Sequence, residues 1–164
     1  MKNTFKFLGI IVFAAVIVFA MVGCGGDDGP GSGDPTDASG LNGTWVTNLF
    51  DYQIEIKFNN GSSENFINGI QGTQGTYTTS GDQITGRVVR IHGDYLNFTL
   101  GMGLESKWYT NSIELKMALQ AYMSEEAANE FVNEMFSPQT ANYSISGNTL
   151  IITSDGETIT YTRK

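Results

Sequence analysis

The chain has 164 residues and a formal net charge of −8 at neutral pH, from 9 Lys and Arg against 17 Asp and Glu. That balance excludes the basic footprint that nucleic-acid binding needs, and the charges are spread rather than blocked, so they report mainly on solubility. One cysteine and one histidine leave neither an internal disulfide nor a Cys/His metal cluster to be built.

Lys2 and Lys6 precede an apolar run from Leu8 to Val22, which ends at Gly23-Cys24. A basic start, an apolar stretch and a small residue before the cut have the layout of an export signal. The run is shorter than the ~20 residues that span a bilayer comfortably, and a polar tract follows at once. A plain transmembrane anchor with an incidental cysteine is the alternative. With cysteine as the first residue after the cut, residues 1–24 resemble a bacterial lipoprotein precursor. Val22 and Gly23 fit that family's lipobox, while Met21 stands where Leu is usual. The resemblance implies cleavage after Gly23, a diacylglycerol on the Cys24 thiol and an acyl chain on the new amine, with no other cofactor. Acylation would also account for a lone thiol in an exported protein. The partner implied is a membrane of the cell envelope, held through lipid. Because Gly25 follows the cysteine and the acids begin only at Asp27, the family's sorting rule favours the outer over the inner membrane. Loss of Lys2 and Lys6 with the signal takes the charge from −8 to −10.

Residues 25–40, GGDDGPGSGDPTDASG, hold no apolar residue larger than Ala38. Such a stretch cannot bury enough surface to offset its ordering entropy and reads as a flexible tether. Asp27 and Asp28 lie inside it without the spacing of a calcium loop. Residues 41–164 remain, enough for one ordinary domain.

That domain reads as mainly β. Tyr52, Ile54, Ile56 and Phe58 alternate with Gln53, Glu55 and Lys57, the period of a half-buried antiparallel strand. Further strands are predicted at 44–49, 73–79, 83–91, 95–100, 142–146, 149–154 and 157–162, with a short one at 64–67. Ser80-Gly81-Asp82, Ser146-Gly147-Asn148 and Asp155-Gly156 supply hairpin turns. Tyr77 to Ile84 and Tyr143 to Leu150 share one pattern of strand, tight turn and strand, which suggests one hairpin device used twice. Many short strands at close spacing predict a sandwich or barrel.

From Asn111 to Phe136 the composition shifts to Ala, Leu, Met, Glu and Gln, which favour helix. Asn111 with Glu114 forms a candidate capping box, and Ser124 caps a second helix with Glu125 and Glu126 in its first turn. Ala128, Phe131, Val132 and Met135 fall on one helical face, and Pro138 discourages continuation. Ile113, Leu115, Met117 and Leu119 also alternate like a strand. Propensity favours helix, and a helical insertion at about 111–136 before the last hairpins is predicted.

The domain opens Leu41-Asn42-Gly43-Thr44-Trp45 and closes Tyr161-Thr162-Arg163-Lys164, with Tyr143, Gly147, Asn148 and Leu150 in a late hairpin. This arrangement resembles the lipocalin and calycin barrels, and more closely the bacterial lipocalin-like lipoproteins. The resemblance implies an antiparallel eight-stranded barrel. It also implies a structural set of Gly43, Trp45 and Arg163, with the Arg stacked on the Trp at the closed end, a contact worth about 0.5–2 kcal/mol. The family's frequent disulfides and C-terminal helix are missing here, so its ligand-binding residues do not transfer.

A barrel of eight strands either fills with side chains or holds one small ligand. The expected function is binding of a small apolar or amphipathic ligand, with Tyr52, Ile54, Ile56, Phe58 and Trp108 as the candidate lining and Tyr95, Phe98 and Tyr109 beside them; a filled barrel is the alternative. In that reading Met102, Met117, Met123 and Met135 belong to a lid over residues 101–136. If it is filled, the outer surface carries a structural or protein-interaction role in the envelope, and either way core packing accounts for most of these apolar residues. No catalytic residue is assigned: His92 has no signalled partner, Gly101-Met102-Gly103 lacks a phosphate-loop pattern, and no nucleophile elbow is present. A non-enzymatic protein is expected.

Overall fold

The computed structural model describes residues 40–164. The signal segment, Cys24 and most of the tether lie outside the described residues.

Among the described residues nine strands form: β1 (Gly43–Leu49), β2 (Tyr52–Asn59), β3 (Ser62–Ile67), β4 (Ile70–Ser80), β5 (Gln83–His92), β6 (Trp108–Tyr109), β7 (Gln139–Ser146), β8 (Thr149–Ser154) and β9 (Glu157–Arg163). Three helices lie between β5 and β7: α1 (Gly93–Leu100), α2 (Ser112–Leu119) and α3 (Glu125–Phe136). Eight strands pair antiparallel around a closed circuit, β1–β2–β3–β4–β5–β7–β8–β9 and back to β1. Closure removes the free edges that an open sheet exposes. β6 is an extra short strand on the far end of β5, Ile91 opposite Tyr109 and His92 opposite Trp108. The mainly β antiparallel eight-stranded barrel with a helical insertion is therefore the fold, and it is consistent with a lipocalin-like architecture.

The alternation read from sequence sets the register. Ile54 pairs with Thr47 and Ile67, and Ile56 with Trp45 and Asn65, so these positions share the inner face. The two-residue links Asn60-Gly61, Asn68-Gly69 and Asp155-Gly156 all have positive φ at both positions, the type I′ geometry that matches the twist of a hairpin.

Two boundaries differ from expectation. Residues 95–100, predicted as a strand, form α1, and the insertion begins at Gly93 rather than near 111. The cause is local capping. His92 Nδ1 accepts from the Asp94 N–H at 3.3 Å, Asp94 sits in the first turn, and Gly101 ends the helix at φ 67°. Helical spacing also puts both Tyr95 and Leu96 inside, at 0% exposure, which an alternating strand would not. α2 and α3 form as helices. Asn111 Oδ1 accepts from Glu114 N at 2.8 Å and Ser124 Oγ from Ala127 N at 3.2 Å, each cap worth about 1 kcal/mol. As a helix, α2 splits its apolar residues: Leu115 and Leu119 are buried, Ile113 and Met117 exposed. On α3, Ala128, Val132 and Met135 are buried.

The barrel has two unlike ends. One carries Gly43, the Asn60-Gly61 turn, Gly81 and the end of β9. The other carries the β1–β2 and β8–β9 turns and the helices. On the outside of β2, the half-covered carboxylate of Glu55 meets Lys164 Nζ at 2.8 Å and Lys57 Nζ at 3.3 Å. The Lys164 bond, with Lys57 adding to it against the opposing effect of burial, holds this carboxyl below its usual range. A depressed carboxylate contributes stability that is present above its unfolded pKa and lost as pH falls through its folded one. Glu55→Gln should lower stability at pH 7 by about 0.5–1 kcal/mol. The gap to wild type should close below about pH 4.3, as read by urea denaturation at pH 7 and pH 3.

Candidate functional site

One end of the barrel is built where the first and last strands, β1 and β9, meet. Trp45 is fully buried and its Nε1 donates to the Leu41 carbonyl at 2.7 Å. The Arg163 guanidinium lies 4.3 Å from the Trp45 ring and donates from Nη1 to the Asn42 carbonyl at 2.9 Å. Its Nη2 donates to the Gly40 carbonyl. At Gly43, with φ 135°, an added Cβ would come within 2.9 Å of Arg163 Nη1. The fold thus brings Gly43, Trp45 and Arg163 into one cluster.

Of the ligand-lining candidates, Ile54, Ile56 and Phe58 share the inner face of β2, while Tyr52 and Trp108 lie elsewhere. Ile54, Ile56 and Phe58 are 1%, 1% and 2% exposed and packed in the core, with Phe58 edge-on to Tyr77 at 5.0 Å. Burial of each such side chain contributes about 1.5–3 kcal/mol. Tyr52 is half-buried at the helical end, edge-on to Phe98 at 5.7 Å. Trp108 sits apart on β6, under the Arg90 guanidinium at 4.6 Å and edge-on to His92 at 4.9 Å. Of the methionines, Met135 is buried, Met102 and Met123 pack partly against the core, and Met117 is exposed.

α1 supplies part of the packing. The Tyr95 ring lies against Gly72, where an added Cβ would approach Tyr95 Cδ2 to 2.4 Å, so only glycine admits the ring. A cavity of about 20 Å³ is lined by Ile56, Ser63, Asn65, Thr73, Gly86 and Gln139 among others. That is room for about one water, against the several hundred Å³ of a small-molecule pocket.

Ser106 Oγ donates to Asp94 Oδ2 at 2.8 Å, and His92 Nδ1 is 3.6 Å from the same oxygen. The Asp94 carboxylate thus accepts the serine hydrogen bond, while His92 Nδ1 accepts from the Asp94 N–H. Burial pushes the phenols of Tyr95 and Tyr161 well above the usual tyrosine range, so both stay neutral. Among the described residues, no group of three His, Cys, Asp or Glu side chains is placed to hold a metal ion, and no helix is long and apolar enough to cross a membrane.

The outer surface offers more. Ile113 and Met117, one turn apart on α2, are 69% and 66% exposed. Glu126, Glu130 and Glu134 are exposed at i, i+4, i+8 on α3, and Lys116 Nζ joins the two helices through Glu125 Oε1 at 3.5 Å. Phe50, at the β1–β2 turn, is 68% exposed with φ 55°, a conformation that costs a bulky residue energy. Sequence reasoning missed Phe50. The signal was there: an apolar residue caught in a two-residue link between alternating strands. It missed Asn65 as well, a polar residue at an inward register position.

Compared with known protein families, with curated proteins and with solved structures, the chain matches none.

The Tyr95 hydroxyl is buried without a hydrogen-bond partner. An unsatisfied buried hydroxyl is destabilising, by about 1–3 kcal/mol. Tyr95→Phe should therefore raise stability by about 1 kcal/mol in thermal or urea denaturation. A loss of similar size would show that the hydroxyl has a partner.

Proposed function

We propose that this chain is a non-catalytic, lipid-anchored module of the bacterial cell envelope that works through its outer surface, by binding another protein. The observation that carries this reading is the packed interior: Trp45, Ile54, Ile56, Phe58, Tyr95 and Tyr161 are all at most 2% exposed. A barrel occupied by its own side chains has its free chemistry outside. The lipoprotein resemblance of residues 1–24 supports the anchor, and the tether supports reach from the membrane.

The surface best suited to a partner is the α2–α3 face. Exposed apolar residues at i and i+4 on α2, and an acidic row on α3 joined to it through Lys116 and Glu125, suit an amphipathic segment with basic residues. Binding of a small apolar ligand is the second reading. It would require α1 to withdraw Tyr95 and Leu96, and the exposed Met117 and Phe98 favour it only as rim contacts.

A photo-crosslinking residue placed at Met117 in the membrane-anchored chain, in cells, should capture a discrete partner. The same residue at Thr160, exposed on β9, should not. Capture should fall at least about tenfold in Glu126→Lys/Glu130→Lys, a loss of about 1.4 kcal/mol, with the melting temperature kept. Capture that survives the charge reversal, or that occurs equally from Thr160, removes this face as the site. A Cys24→Ser chain should fail to incorporate a tagged fatty acid; continued incorporation would contradict the anchor.

A further inference from the structure

The two ends of the barrel differ in polarity. Among the described residues, no large apolar side chain is exposed at the end that carries Gly43 and the Asn60-Gly61 turn. At the other end Phe50 is 68% exposed on the β1–β2 turn and Phe98 is 41% exposed on α1. The two share one sector of the rim. Phe98 packs edge-on to Tyr52, two residues beyond Phe50. The β3–β4 turn lies alongside: Asn68 N–H donates to the Gln53 carbonyl, and Asn68 Oδ1 accepts from the Gln53 N–H, each at 2.8 Å.

The fold does not require Phe50. The links Asn60-Gly61, Asn68-Gly69 and Asp155-Gly156 put Asn, Asp or Gly where φ is positive, whereas the β1–β2 link puts Phe50 there, at φ 55°. A bulky side chain is strained in that region, and asparagine would relieve the strain. An exposed ring gains little burial in return. The strain persists for something other than packing.

Charge and the tether narrow the partner. Asp51 is the one ionisable side chain in the β1–β2 and β3–β4 links, and the chain's charge of −8 disfavours anionic headgroups. A zwitterionic lipid surface fits an aromatic wedge of this kind. Gly40, where the tether joins the domain, is held by Arg163 at the opposite end. β1 runs from that end to the rim in seven residues, about 23 Å. A Gly-rich chain as long as residues 25–39 averages about 19–23 Å end to end. A lipid on Cys24 thus reaches the plane of the rim at the tether's average length, which is the condition that most favours a second, tethered contact.

We propose that the Phe50–Phe98 sector of the rim inserts into a zwitterionic lipid surface, so that the anchored barrel stands rim-down on its membrane. This rests on the lipid anchor of the reading above and uses different residues from the α2–α3 face.

The test uses the full lipidated chain in phosphatidylcholine vesicles, with a nitrobenzoxadiazole probe on Asp51→Cys or on Asp82→Cys. Acylated Cys24 takes no label, and Asp82 is exposed at the Gly43 end. Lipids spin-labelled near the headgroup should quench the probe at residue 51 and leave residue 82 bright. Adding Phe50→Asn should remove most of the quenching at residue 51 and raise the melting temperature, because asparagine suits the positive φ. An unquenched residue 51 on chains that float with the vesicles overturns the proposal. If that probe is blue-shifted all the same, the rim belongs to a protein or to a second copy. Quenching that persists in Phe50→Asn overturns it too, as does a lower melting temperature, which would give Phe50 a role in folding. Chains that do not float with the vesicles contradict the anchor, and the proposal falls with it.

Discussion

The structure depends on the joining of the first and last strands of the described domain. β1 and β9 meet over a short register, Trp45 opposite Arg163 and Val46 opposite Thr162. That is little ladder to close a barrel of eight strands. The side chains make up the difference. Arg163 stacks on Trp45 and binds the carbonyls of Gly40 and Asn42, while Trp45 binds the carbonyl of Leu41. The Lys164 N–H adds a bond to Thr44 O at 2.9 Å. The first and last residues of the domain are thus fixed to one another by charge-assisted bonds, which are stronger than neutral ones. Without that lock β1 and β9 become open edges, and the inner faces of all eight strands lose their enclosure.

Enclosure decides what the interior can do. Once the circuit closes, the residues that alternate inward meet one another, and the large ones fill the space. Trp45, Phe58, Tyr77 and Tyr161 occupy the closed end. At the other end α1 brings Tyr95 onto Gly72. Between them Ile56, Ser63, Asn65, Thr73 and Gln139 line the wall that runs from β2 to β7. Apolar filling at both ends with a small polar layer between leaves the helical insertion and the rim as the surfaces that carry unspent apolar groups.

Much of the fold was legible in the sequence because barrel strands state their register through alternation. Tyr52 to Phe58 shows its inner and outer faces residue by residue, and Ser80-Gly81-Asp82, Ser146-Gly147-Asn148 and Asp155-Gly156 mark where the chain turns. Ser124 and the Ala128 to Met135 face announce α3 in the same way. Residues 93–100 were not legible. Tyr95, Asn97 and Thr99 alternate with Leu96 and Phe98 well enough to suggest a strand, and the deciding contacts are a histidine cap and burial of two neighbouring residues. The candidate site was harder still. Trp108 looks like a core aromatic in composition, yet two residues of pairing place it outside, against Arg90. Asn65 looks like a surface residue until its pairing with Ile56 and Thr73 places it at an inward position. Both depend on contacts between elements far apart in sequence, which local periodicity does not encode.

The most direct test of this account is native-state hydrogen exchange, resolved by residue, of the full chain. If the Trp45–Arg163 cluster locks the barrel, the paired amides of β1 and β9 should exchange only through global unfolding. Their opening free energies should then match those of the β4–β5 amides. Exchange of β1 and β9 at much lower opening free energy, while β4 and β5 stay protected, would contradict it. The barrel would then be an open sheet whose ends merely touch.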